Sequence, residues 1–428
     1  MKNARTISLF AALFLAIPFF WACGETDPND EVAAMVEELN SIHLDRVNPI
    51  NVYLGYRGMP NILLALPQVT DLNEILNIDV GNPVRAQVAV DSSGKIFLSC
   101  GAGLCVFSNN GQLLFRFYFA PTGGQAVGDA NTRPILLPGG DVIFYNPTIG
   151  MVGRINSAGN AIWAKEELTG LESNGGASPI LTADGRILVP FGDGLRSYNA
   201  DGYEVWFAPT NMRPVLATPL IGSNGKVFVN ALMRDLDDPM AAQILGIDVG
   251  SGTSSWTRSF SYQEVRPLPE ATLVQMKDGR LLVAAHGYLM AVNSASGKTD
   301  PFAYKAGDTT LIYSTPVVGE NGDVYAGSGE SRIRAFLPDS TDKWEFTLGS
   351  NDYDWSASIS GLVVTKSGNE EILIASSKNG YVFGISAETG TPLWRFNAGA
   401  TVASPVTMSG SKMYVGDVSG KLHVVNVP

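Results

Sequence analysis

Cysteine and histidine are nearly absent, three of each in 428 residues. His43, His286 and His423 share no metal-ligand spacing, and no Cys-x-x-Cys-His occurs, which leaves no zinc or covalent-haem framework. A Gly-x-Ser-x-Gly elbow is missing as well, so nothing announces an acyl-transfer nucleophile. Gly297-Lys298-Thr299 imitates the end of a phosphate loop, yet Val292 stands where the first glycine belongs, and the segment reads as a hairpin turn. Asp235, Asp237 and Asp238 cluster without EF-hand spacing or a full ligand count, and read as a solvated loop. Basic residues are scarce too. With 29 Lys and Arg against 41 Asp and Glu, the net charge of −12 disfavours nucleic acid and adhesion to anionic lipid. Neither a catalytic residue, a metal ligand nor a cofactor site is expected.

No apolar run is long enough to span a bilayer. Ile7 to Trp21 would cover about 22 Å as a helix against a hydrocarbon core of about 30 Å, and Pro18 interrupts it. With Lys2 and Arg5 before it and small residues after, the run reads as an export leader over residues 1–22. Phe20-Trp21-Ala22-Cys23 resembles a bacterial lipobox, which implies lipidation of Cys23; plain cleavage nearby is the alternative. Several acyl chains on one cysteine would hold firmly, where a single chain binds only marginally. Gly24 is compatible with outer-membrane sorting, and the acidic tether 23–31 leaves the facing of the anchor open. Loss of Lys2 and Arg5 would take the charge from −12 to −14. In an oxidising compartment Cys100 and Cys105, flanking a predicted hairpin turn, form an even pair suited to a disulfide; two buried free thiols are the alternative.

A repeated unit fills most of the rest. Short apolar runs separated by Gly turns recur from about residue 86 onward, opening at Thr132-Arg133-Pro134, Ala177-Ser178-Pro179, Ala217-Thr218-Pro219, Ser314-Thr315-Pro316 and Ala403-Ser404-Pro405. Pro134, Pro179 and Pro219 stand 45 and 40 residues apart, and the gaps of 97 and 89 residues to Pro316 and Pro405 each hold two units. This period predicts four-stranded antiparallel propeller blades. Asn-Gly and Asp-Gly at 110, 184, 201, 224, 278 and 321 supply the positive φ of tight hairpins. Trp163, Trp206, Trp256, Trp344 and Trp394 fall at one point of the fourth strand, where a flat ring can dock one blade on the next; Phe115 and Phe302 take that place in two units. The last unit supplies three strands, and residues 74–80 supply the fourth, which closes an all-β ring of eight blades. Ahead of the propeller (74–428), residues 32–73 read as a short amphipathic helix carrying Val32, Met35, Val36 and Leu39, then an irregular segment.

The Ser-Pro opening, the Gly turns and above all Thr389-Gly390-Thr391-Pro392-Leu393-Trp394 resemble the repeat of the PQQ-like, or quinoprotein, propeller family. The redox members of that family imply adjacent cysteines over the quinone, a calcium and a catalytic aspartate; here Cys100 and Cys105 are not adjacent and no matching acid can be assigned. The lipid-anchored members imply instead a non-catalytic periplasmic scaffold that binds protein partners, among them the barrel-inserting subunit of the outer-membrane assembly machinery. A surface-exposed recognition lipoprotein for a glycan or protein ligand is the alternative, and a reduced quinone-dependent dehydrogenase a third.

The longer connections, two-three within a blade and four-to-one between blades, are expected on one face, and variable loops on a rigid ring are where binding sites lie. That face carries Arg85, Arg133, Arg213 and Arg266 ahead of inner strands, positioned to attract carboxylate or phosphate, and Tyr353 and Trp355, aromatics off the docking register. Chance placement, or pairing with nearby acids, is the alternative for the arginines. A monomer is expected.

Overall fold

The middle strands of each repeat are almost continuously apolar because both their faces are covered. In the computed structural model Ile187–Phe191 is buried at every position, as are Ile96–Cys100 and Val142–Asn146. Fourth strands lie at the rim and alternate: Glu204–Pro209 buries Trp206 and Ala208 and exposes Glu204 and Val205. The structure describes residues 69–120, 128–167, 176–210, 215, 217–232, 242–260, 272–285, 288–305, 314–327, 332–347 and 359–428, all within one unit, Pro67–Pro428. The expected leader, Cys23, the tether and the N-terminal helix lie outside them.

Among the described residues the strands form eight separate sheets. The third blade is representative: Ile180–Leu181, Ile187–Phe191, Gly194–Tyr198 and Glu204–Pro209, each antiparallel to the next. Core residues fall into eight clusters, one between each pair of neighbouring blades. Ile143, Tyr145 and Val152 of the second blade meet Ile187, Val189 and Tyr198 of the third. Ile78, Leu422 and Val424 of the eighth meet Ile96, Leu98 and Phe107 of the first, which closes the circle.

Closure is made by the strand predicted from sequence. Glu74–Asp79 runs antiparallel to Lys421–Asn426, with Asn77 opposite His423 and Asp79 opposite Lys421. Pairing the two ends of the described chain in one blade removes two open sheet edges. Thr70–Asp71, read from sequence as the end of an irregular segment, instead pairs in parallel with Trp394–Arg395 and adds a fifth strand to the seventh blade.

The loops differ from expectation in one respect. Two-three connections are tight in the first, second, third, seventh and eighth blades, for example Gly101-Ala102 and Gly192-Asp193. A longer two-three connection is left to the fourth blade, between Lys226–Leu232 and Ala242–Asp248. The variable face is therefore built mainly from the connections between blades.

Candidate functional site

The Ser/Thr-Pro openings act as links between blades. Proline has no N–H to donate, and the hydroxyl before it accepts a hydrogen bond from the preceding blade instead. Ser178 Oγ accepts from Arg133 N at 2.9 Å, Thr218 Oγ1 from Ser178 N at 3.0 Å, and Thr315 Oγ1 from Thr272 N at 3.2 Å. At the closing seam the links run both ways: Gln87 Nε2 donates to Val406 O and Thr407 Oγ1 to Val88 O, both at 2.9 Å. This inner circle fixes the positions from which the between-blade connections emerge.

Arg133 stands where the other openings carry Ser or Thr, and no acidic partner is found for it among the described residues. Its side chain is reachable by solvent yet hemmed in by protein, and this desolvation lowers its pKa. An exposed guanidinium without an acidic partner among the described residues, in a protein of net charge −12, can bind a carboxylate or phosphate in bidentate fashion. Arg85 is also exposed and precedes the first inner strand. Arg213, Arg266, Tyr353 and Trp355 lie outside the described residues, so gathering of the four arginines is not seen.

Four docking tryptophans make one repeated contact. Trp163 Nε1 donates to Ala200 O and Trp206 Nε1 to Val249 O at 2.9 Å; Trp256 meets Ser294 O and Trp344 meets Ala387 O at 3.0 Å. Each acceptor lies in the three-four hairpin of the following blade, and a glycine of that hairpin lies flat on the ring. A Cβ on Gly202 would stand 2.6 Å from Trp163, and one on Gly252 2.7 Å from Trp206. Phe115 receives Gly159 in the same way without a donor. Trp394 is more buried than these four, and its Nε1 has no partner.

Cys100 and Cys105 are joined as a disulfide across the two-three turn of the first blade. They are diagonal rather than opposite: Cys100 pairs with Gly103 and Cys105 with Leu98. Both sulfurs belong to the core between the eighth and first blades. Sealed there, the disulfide has no face to offer a quinone ring, so the residues present do not fit the cofactor arrangement of the redox propellers. Among the described residues no group of three or more His, Cys, Asp or Glu is placed to hold a metal.

Sequence reasoning missed two polar clusters. Arg196 pairs with both oxygens of Asp193 at 2.8 and 3.0 Å, and its guanidinium lies 4.0 Å from the Phe207 ring centre. Beside it Tyr198 donates to Glu167 at 3.1 Å, and burial pushes its phenol far up. His423, which sequence gave no role, is buried between Glu74 and Asp417. Isolated charges carry no spacing signal, so only the fold could assemble either group.

The described residues define an eight-bladed β-propeller whose blades are linked by an inner circle of hydrogen bonds. Residues 148–383 and 330–427 match the profile of the family described as outer membrane protein assembly factor BamB, and the chain belongs to that family. Among curated proteins none matches the sequence. The fold is similar to the crystal structure of BamB from Moraxella catarrhalis, at 17% identity over 83% of this chain and 99% of that one, with a TM-score of 0.58. It is similar also to quinohemoprotein alcohol dehydrogenase from Comamonas testosteroni, at 13% identity over 83% and 76% of the two chains, with a TM-score of 0.62. The computationally designed Ika8 protein gives 12% identity over 83% and 99%, and 0.61. A designed protein matches as well as an enzyme does, so these likenesses speak for the fold alone.

Proposed function

We propose that this chain is a non-catalytic, lipid-anchored scaffold of the bacterial cell envelope that binds a protein partner in outer-membrane protein assembly. The observation that carries the reading is the family match over residues 148–427. Geometry supports it through Arg133, held at the inner circle and without an acid partner among the described residues, where an acidic partner side chain can be clamped. Export and the lipid on Cys23 belong to the same proposal and rest on the leader. The propeller presents its between-blade loops to periplasmic domains of the barrel-inserting subunit, with Arg133, Tyr353 and Trp355 in contact. The buried disulfide favours this reading over quinone chemistry.

Crosslinking the full-length protein in its native cells, followed by mass spectrometry, tests the proposal. Capture of the barrel-inserting subunit, lost in an Arg133→Glu, Trp355→Ala double variant, is the expected result. Capture of unrelated surface components only, with the chain open to protease on intact cells, would replace it with an exposed recognition lipoprotein. Quinone-dependent dye reduction by the purified protein supplied with quinone and calcium would overturn the non-catalytic part.

A further inference from the structure

Trp394 is the exception in the docking register. Its indole is 2% exposed and its Nε1 is buried without a hydrogen-bond partner, whereas four sister tryptophans each donate to a carbonyl of the following blade. The cause is topological. Every sister indole is met by the hairpin that joins the third and fourth strands of the next blade, and in the eighth blade that hairpin does not exist. There the third strand, Lys421–Asn426, and the fourth, Glu74–Asp79, come from opposite ends of the described chain. The acceptor carbonyl and the glycine of a following hairpin are missing as a result; Gly384, of the blade's own third strand, lies on the indole. Val427 and Leu72 pack in the same core cluster as the indole, and beside it is a cleft of about 270 Å³ whose lining includes Thr70, Glu370, Leu393, Trp394 and Pro428.

Its cover is light. Thr70–Asp71 pairs with Trp394–Arg395 over two residues, Leu72 N donates to Arg395 O, an exposed Asp71–Arg395 ion pair is added, and the half-buried Leu72 side chain packs on the cluster that holds Trp394. So short a parallel edge, with a solvated ion pair, is weakly held.

We propose that this seam is a docking site for a glycine-containing β-turn of a partner protein. The turn displaces the segment from Thr70 to Leu72, lays its glycine on the Trp394 indole and offers a backbone carbonyl to Nε1. The occupant follows from the chain's own chemistry, since four sister indoles take such a turn: Gly202, Gly252, Gly297 and Gly390 each lie against one. A cleft of this size is smaller than the roughly 300–1,000 Å³ of drug-sized ligand sites. Exposed Glu370 on its lining favours a basic residue beside the glycine, as Lys298 stands beside Gly297 in the turn that caps Trp256. The inference rests on the protein-binding reading above and adds a second surface to it.

The test uses the full-length protein labelled with ¹⁵N and a disulfide-cyclised peptide carrying the sequence of residues 291–301, the turn that caps Trp256. The Trp394 indole N–H signal, assigned by its loss in Trp394→Phe, is expected to move downfield and saturate as peptide is added. Trp394→Phe should weaken binding about tenfold, and Trp344→Phe, whose donor is already satisfied, should leave it unchanged. A Trp394 signal unmoved at millimolar peptide overturns the site. So does an indole proton that, in the free protein, exchanges with water as fast as an exposed tryptophan. If crosslinking captures a partner through Arg133 while the Trp394 signal stays fixed, the seam is wrong and the protein-binding reading stands.

Discussion

Glu74 Oε2 lies 2.7 Å from His423 Nδ1, across 349 positions of sequence, and the contact fastens the closing strand to its neighbour. The other ring nitrogen meets Asp417 Oδ2 at 3.1 Å. Asp417 is fully buried. Asp417→Asn should therefore cost about 2–3 kcal/mol in urea unfolding, since this buried carboxylate accepts from Ser419 N, Ser419 Oγ and Lys421 N as well as meeting His423. Glu74→Gln, at a more exposed carboxylate, should cost about 1 kcal/mol or less.

Both carboxyls sit below their ordinary values of 4.5 and 3.8. The hydrogen bond with His423 lowers Glu74; at Asp417 burial opposes ionisation, and bonds from Ser419, Lys421 N and His423 outweigh it. A depressed carboxyl contributes stability above its unfolded pKa and loses it as pH falls through the folded value. Melting temperatures should accordingly hold near neutrality and drop below about pH 4.5. The drop should be smaller in Asp417→Asn, and a parallel drop in the two proteins would remove this latch from the acid response.

Docking tryptophans should separate by their partners. Trp206→Phe keeps a ring on Gly252 but loses the bond to the Val249 carbonyl, which Arg186 also serves, at a cost of about 0.5–1.5 kcal/mol beyond lost area. Trp394→Phe removes a donor that has no partner, so it should cost measurably less than Trp206→Phe in the same denaturation series.

Turn glycines should separate in the same way. Gly185 has φ +83° and open space where a Cβ would stand, so Gly185→Ala meets only the left-handed penalty of about 1–2 kcal/mol. Gly202, at φ +80°, would also drive its Cβ into Trp163 at 2.6 Å. Gly202→Ala should be the more destabilising by at least another 1 kcal/mol or so, as overpacking predicts. Equal midpoints would show that the hairpin does not press on the indole.

Replacing both Cys100 and Cys105 by Ser should cost about 2 kcal/mol, since the bond closes a short loop. Partner capture should survive, because the sulfurs are buried in the core between the eighth and first blades.

Period, turns and docking rings were legible in the sequence because they are local. A tight hairpin demands Asn-Gly or Asp-Gly at the turn itself, a strand covered on both faces demands an unbroken apolar run, and one fourth-strand position demands a flat ring. These signals predicted eight four-stranded blades and the closing strand over residues 74–80, which runs from Glu74 to Asp79. Tertiary structure alone decided what happens between residues whose spacing carries no pattern. It made the two-three turns of five blades tight, set Cys100 diagonal to Cys105, put Ser178 under Arg133 N, and enclosed His423 between two carboxylates. It also left Trp394 without the carbonyl that its sisters receive, because a ring sewn shut by both ends of the described chain loses one hairpin at the seam.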